Sequence, residues 1–193
     1  MLAFRSLLII TFSILILSCG NNASLQNEEL TDATDHTEVE IETPQAIDVV
    51  ESLPSGSTID TKDTSPTELI KFAKTLIGIP YKWGSIEPQE GFDCSGFITY
   101  VFNHFQIAVP RSSVDFTNVG EEIPVSESKP GDLILFTGTD STIRIVGHMG
   151  IIVSNADSTS FIHSTSGKAY GVTITPLNSY YQGRFVKTIR IFR

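Results

Sequence analysis

The chain has 193 residues, 40% of them hydrophobic, and a formal charge of −9 at pH 7, which suits one packed domain with tails. The acidity is local: Cys19 to Asp63 holds eleven Asp and Glu against one Lys, whereas residues 66–193 carry eleven charges of each sign. A neutral domain without a basic stripe argues against nucleic acid as a partner.

At the N-terminus, Arg5 supplies a minimal positive region, and Ser6 to Leu17 is an apolar run of Leu, Ile and Phe too short for a membrane span. Residues 1–18 are therefore predicted to be a signal peptide. Ile16-Leu17-Ser18-Cys19 has the form of a bacterial lipobox, with a thiol directly after a small residue at the end of the apolar run. On this reading Cys19 is lipidated and becomes the new N-terminus, anchoring the protein to a membrane. The alternative is an ordinary signal peptide in which Cys19 is incidental. Gly20 lacks the aspartate that resembles an inner-membrane retention signal, so the expected location is the outer membrane, facing the periplasm. Residues 19–65 are rich in Asn, Ser, Thr, Asp and Glu with no sustained period, and are predicted to be a disordered, self-repelling tether. His36 belongs to that solvated stretch.

The folded domain, residues 66–193, opens with Ser65-Pro66-Thr67-Glu68: an N-cap, a proline at the first helical position and the glutamate of a capping box. Leu69, Ile70, Phe72, Ala73, Leu76 and Ile77 follow at helical spacing until Gly78. A second helix is predicted after Gly91-Phe92-Asp93, because Phe97, Ile98, Val101, Phe102 and Phe105 recur at helical spacing. Cys94 falls in its first turn, with Asp93 as N-cap. The pattern then switches to strands at 132–136, 147–153, 160–163, 172–175 and 186–192. Helices first and antiparallel strands after them predict an α+β domain with no internal repeat.

A first-turn thiol feels free amides and the positive end of the helix dipole, which favour thiolate, the attacking species. A nucleophile also needs a base. His104 lies within the Cys94 helix and reads as a surface or cap residue. His148 lies near the start of a buried strand, flanked by Gly147 and Gly150, which permit another backbone to approach. His163 closes the next short strand, and an antiparallel pairing would set it beside His148. A lone cysteine usually packs as a small hydrophobe, and a lone histidine as a satisfied core residue. Together, Cys94, His148 and His163 form a candidate nucleophile, base and orienter. No Cys-X-X-Cys or His-Glu-X-X-His spacing points to a metal, and no cofactor is expected.

Five segments carry a resemblance: Gly78 to Gly84 (GIPYKWG), Asp93 to Phe97 (DCSGF), Val109 to Ser113 (VPRSS), Lys129 to Leu133 (KPGDL) and Gly147 to Ile151 (GHMGI). Their order and spacing resemble the NlpC-type cell-wall cysteine endopeptidases across most of residues 66–193. The resemblance implies a papain-like fold, with N-terminal helices packed on an antiparallel sheet of five or six strands. It also implies hydrolysis of peptidoglycan stem peptides, typically where D-glutamate is joined through its side-chain carboxyl to a diamino acid. Carried over, Cys94 is the nucleophile, His148 the base and His163 the third polar residue. Tyr81 lines the site, and Asp93 and Ser95 match residues that hold the free amino end of substrate in some relatives. The oxyanion donors are left open between the first amides of the helix and Tyr81. Ser85 and Phe116 depart from the family pattern and are expected to touch the cleft wall. The segment 137–145 is long enough for a loop or hairpin over the site.

One cysteine for lipid and one for catalysis leaves none for a disulfide. The expected protein is a monomer acting on stem peptides. An amidase of the same fold, or a non-catalytic wall-binding lipoprotein, remains the alternative.

Overall fold

The computed structural model describes residues 51–54 and 57–193. The predicted signal peptide, Cys19, His36 and most of the acidic tether lie outside the described residues. No helix among the described residues is long and apolar enough to cross a membrane.

Helix α1 (Pro66–Thr75) starts as its sequence requires. Ser65 Oγ accepts from the Glu68 amide at 3.2 Å, and the Glu68 carboxylate accepts from the Ser65 amide at 3.1 Å, which satisfies two orphan donors of the first turn. It ends two residues before the predicted Ile77, in a turn that leads into Gly78 at φ +92°, a conformation glycine adopts without strain. A two-stranded hairpin, β1 (Ile86–Glu87) and β2 (Gly91–Phe92), then delivers the chain to helix α2 (Cys94–His104). His104 is exposed at the end of α2, its ring stacked on Phe72 with centroids 3.6 Å apart. After a 3-10 turn at Ser113–Asn118 come β3 (Glu121–Ile123), β4 (Leu133–Thr137), β5 (Val146–Ser154), β6 (Ser160–Thr165), β7 (Gly171–Pro176), the short helix α3 (Ser179–Arg184) and β8 (Phe185–Arg190).

Six strands form one sheet in the order β3-β8-β4-β5-β6-β7, with every neighbouring pair antiparallel. The predicted α+β class and strand number are both observed. All five residues of β4 are buried, because both faces of the sheet are covered. Leu133 and Leu135 join α1 and α2 in the main core, while Ile134 and Phe136 join Ile152, Phe161 and Tyr181 in a smaller cluster on the opposite face. From α2, Phe97, Ile98, Val101 and Phe102 are each 0% exposed, worth about 1.5–3 kcal/mol apiece in burial. That packing fixes the helix, and with it the position of its first residue.

Elements β1, β2, β3 and α3 were not predicted. The strands of the β1-β2 hairpin have two residues each, β3 has three with two exposed glutamates, and the six-residue α3 contains Gly183. None is long enough to carry a period. Two expectations about the cleft wall are corrected. Phe116 is 0% exposed and packs in the core. Ser85 is also buried, and its backbone carbonyl accepts from the Asp93 amide at 3.2 Å. The segment after β4 is a turn-rich loop rather than a hairpin, tied to the end of α3 by Arg144, which donates to the Gly183 carbonyl at 3.3 Å and to the Phe185 carbonyl.

Candidate active site

The start of α2 is built around Asp93. One carboxylate oxygen caps the helix by accepting from the Gly96 amide at 2.5 Å. Both oxygens also face Arg111, whose two terminal nitrogens donate to Asp93 at 3.2 and 2.8 Å and to Ser95 Oγ at 2.9 Å. Gly96 is required here because no side chain fits. A Cβ on it would lie 2.1 Å from the Ser85 carbonyl oxygen and 2.9 Å from Asp93 Oδ1. The hairpin and the helix start therefore interlock, and Asp93 and Ser95 serve that lock. Neither is among the residues that line the cleft holding Cys94.

Cys94 lines a cleft of about 980 Å³ whose wall also includes Tyr81, Gly147 and His148. Its thiol donates weakly to the Gly147 carbonyl at 3.9 Å. The amides of Cys94 and Ser95 are directed at the sulfur and favour its anion. Burial outweighs them: with the Asp93 carboxylate nearby, the thiol is pushed up to about 11. The two amides alone therefore do not offset burial, and the mechanism calls for a neighbouring base to take the proton. Tyr81 is held by its amide, which donates to the Tyr170 carbonyl at 3.1 Å. Burial first, then the neighbouring Cys94 and Asp93, push its phenol up, so it remains a neutral donor.

The pairing of β5 with β6 brings His148 and His163 together as predicted. His148 Nε2 and His163 Nδ1 are 2.8 Å apart, and His163 Nε2 lies 2.9 Å from Thr175 Oγ1. Glycines make this possible: a Cβ on Gly147 would meet Gly138 Cα at 2.7 Å, and one on Gly150 would meet the Ile162 carbonyl at 2.9 Å. Phe136, Phe161 and Tyr181 surround the imidazoles. Burial in that aromatic box pushes both histidines toward the neutral form, His148 well below its ordinary value and His163 down to about 3, and the buried Arg184 adds to both shifts.

These contacts permit a productive proton arrangement. With Nε2 of His148 spent on His163, Nδ1 is the nitrogen left to serve as base. For Nδ1 to be bare, His148 must carry its proton on Nε2 and donate to His163 Nδ1. His163 must then carry its proton on Nε2 and donate to Thr175. Thr175, Arg111, Tyr181 and Arg184 were not assigned roles from sequence. Their contacts are long-range, and only Arg111 stands in a recognisable motif. Among the described residues, no group of three or more His, Cys, Asp or Glu is placed to hold a metal ion.

A thiol at a helix N-terminus, set on one cleft with an imidazole from the facing antiparallel sheet, defines a papain-like α+β domain. The chain belongs to the NlpC/P60 family, whose pattern residues 78–190 match. It is 35% identical over 129 residues to the "Gamma-DL-glutamyl hydrolase" of Bacillus subtilis, covering 67% of this chain and 30% of that protein. It is 41% identical over 121 residues to the "Probable peptidoglycan endopeptidase LytE" of the same organism, covering 62% of this chain and 33% of that one. The chain thus spans about a third of the length of these relatives. Among solved structures, an NlpC/P60 family protein from Bacillus cereus superposes with a TM-score of 0.60 at 28% identity, covering 68% of this chain and 42% of that one.

Proposed function

We propose that this domain is a cysteine-type peptidoglycan endopeptidase that hydrolyses stem peptides at the amide joining the side-chain carboxyl of D-glutamate to a diamino acid. The observation that carries the reading is that Cys94 and His148 line one cleft, while the chain of contacts from His148 through His163 to Thr175 engages His148 Nε2 and leaves Nδ1 outside it. The names of the two Bacillus subtilis relatives, a glutamyl hydrolase and a probable peptidoglycan endopeptidase, support a peptidoglycan endopeptidase in general.

In this mechanism His148 Nδ1 takes the Cys94 proton as the sulfur attacks the amide carbonyl, so the ion pair forms during attack. The oxyanion develops beside the Cys94 and Ser95 amides, already directed at the sulfur, with the Tyr81 hydroxyl as a further donor. His148 then protonates the leaving amine, and water hydrolyses the thioester. His163 orients His148 and stabilises its charged form, with Thr175 holding His163 in turn. We further propose that Cys19 carries a lipid anchoring the enzyme at the outer membrane, and that the acidic segment gives it reach into the wall.

Digestion of purified peptidoglycan with mass analysis of the fragments tests the reading. New amino termini on the diamino acid are expected, and Cys94→Ala should abolish their release while excess chelator leaves it unchanged. Release of intact stem peptides would establish an amidase instead. Peptide release by Cys94→Ala would remove the nucleophile assignment.

A further inference from the structure

The cleft has a charge of its own. Although the chain carries −9 overall, Lys168 and Arg184 line the cleft and, among the described residues, no Asp or Glu does. Arg184 is the unusual member. It is 9% exposed, yet among the described residues no carboxylate pairs with it. The more exposed Arg111 and Arg190 are paired with Asp93 and Asp132. Arg184 instead donates to the Tyr180 hydroxyl at 2.5 Å and to the Thr137 carbonyl at 2.8 Å, and its Nε has no partner. A guanidinium has five N–H donors, so part of its capacity is unspent.

A buried cation without a counter-ion is costly, and proteins normally pair it. One that lines a cleft can be paired by what enters the cleft. We propose that Arg184 is a substrate-binding residue, its guanidinium taking a carboxylate that the peptide carries beside the scissile amide. This rests on the endopeptidase reading above, whose substrate supplies such a group: a glutamate joined through its side chain keeps its α-carboxylate free. Arginine suits the task because its planar fork matches a carboxylate. The α3 contacts with Tyr180 and Thr137 hold the fork in place before substrate arrives. There is also a consequence for catalysis. Burial first, with the Arg184 charge adding to it, holds both imidazoles toward neutrality in the free enzyme, and a bound carboxylate offsets the Arg184 field beside the base that must accept the thiol proton.

The test uses the purified full-length chain and stem peptides in matched pairs. Within a pair, the carboxylate of one residue flanking the scissile amide is replaced by a carboxamide, each flanking residue in turn. kcat/KM is measured for wild type, Arg184→Gln and Arg184→Lys, with the Tm of each. Amidation at one of the two positions should lower wild-type kcat/KM about ten-fold or more, the effect of losing one charge-assisted contact. Arg184→Gln should treat that pair alike, and Arg184→Lys should keep part of the preference. The inference is overturned if wild type cleaves acids and amides equally. It is also overturned if a folded Arg184→Gln keeps the full preference while losing activity on both, which would make the residue only a staple for α3. If Arg184→Gln does not fold, Arg184→Lys decides, and a preference there undiminished from wild type overturns the inference. Should wild type cleave neither member of any pair, the endopeptidase reading itself falls.

Discussion

Replacing Thr175 by Val tests the proton arrangement at the candidate site most directly. Valine fills the same volume but puts a methyl where the hydroxyl stands 2.9 Å from His163 Nε2, so water cannot take its place. His163 must then either bury an unpaired Nε2–H, at a cost of about 1–3 kcal/mol, or move its proton to Nδ1. The second choice turns the 2.8 Å contact with His148 around and forces the His148 proton onto Nδ1, which then cannot act as base. Either way the productive arrangement lies higher by that amount. kcat should fall about ten- to a hundred-fold, KM should change little, and the Tm should drop by only a few degrees. Thr175→Ser restores the acceptor and should restore most of the rate. Steady-state kinetics on one stem peptide, with thermal unfolding beside them, measures both effects. A Val variant within two-fold of wild-type kcat would show that His163 needs no partner at Nε2, and the single-tautomer argument would fail.

His163 is held at about 3 in the fold against an ordinary value of 6.5, and His148 is shifted the same way. The unfolded chain therefore binds protons that the folded chain refuses, so stability present above pH 6.5 is lost as pH falls toward 3. Unfolding followed across that window should show a loss of up to a few kcal/mol, with a shallower slope in His163→Asn; equal slopes would locate the acid sensitivity elsewhere. Gly96→Ala sets a Cβ 2.1 Å from the Ser85 carbonyl and should cost about 1–3 kcal/mol, read as a lower Tm together with reduced activity; an unchanged Tm would refute the interlock of hairpin and helix. Arg111→Gln leaves the Asp93 carboxylate without its cation. Because 35% of the Arg111 side chain is exposed, the loss should be about 1–3 kcal/mol, below that of a fully buried pair, and denaturant unfolding with an unchanged midpoint would show the clamp to be idle.

The sequence by itself determined the class of fold, because the cues for its long elements are local. The Ser65 capping box, the helical spacing from Phe97 to Phe105 and the apolar run of β4 each specify an element without reference to the rest of the chain. The order of those elements then predicts α+β. It also singled out Cys94, His148 and His163, since a cysteine after a helix cap and histidines at strand positions carry their chemistry with them. Only the tertiary structure decided the site's protons and charges. Burial, a property of packing, pushes the Cys94 thiol up against the pull of the amides at the helix start. Thr175 faces His163 through a strand pairing that no local pattern encodes, and Arg184 is notable only because folding buries it without a carboxylate. The lock of Asp93 and Ser95 to Arg111 spans a helix and a loop. These contacts join residues far apart in the chain, and a sequence read one segment at a time does not contain them.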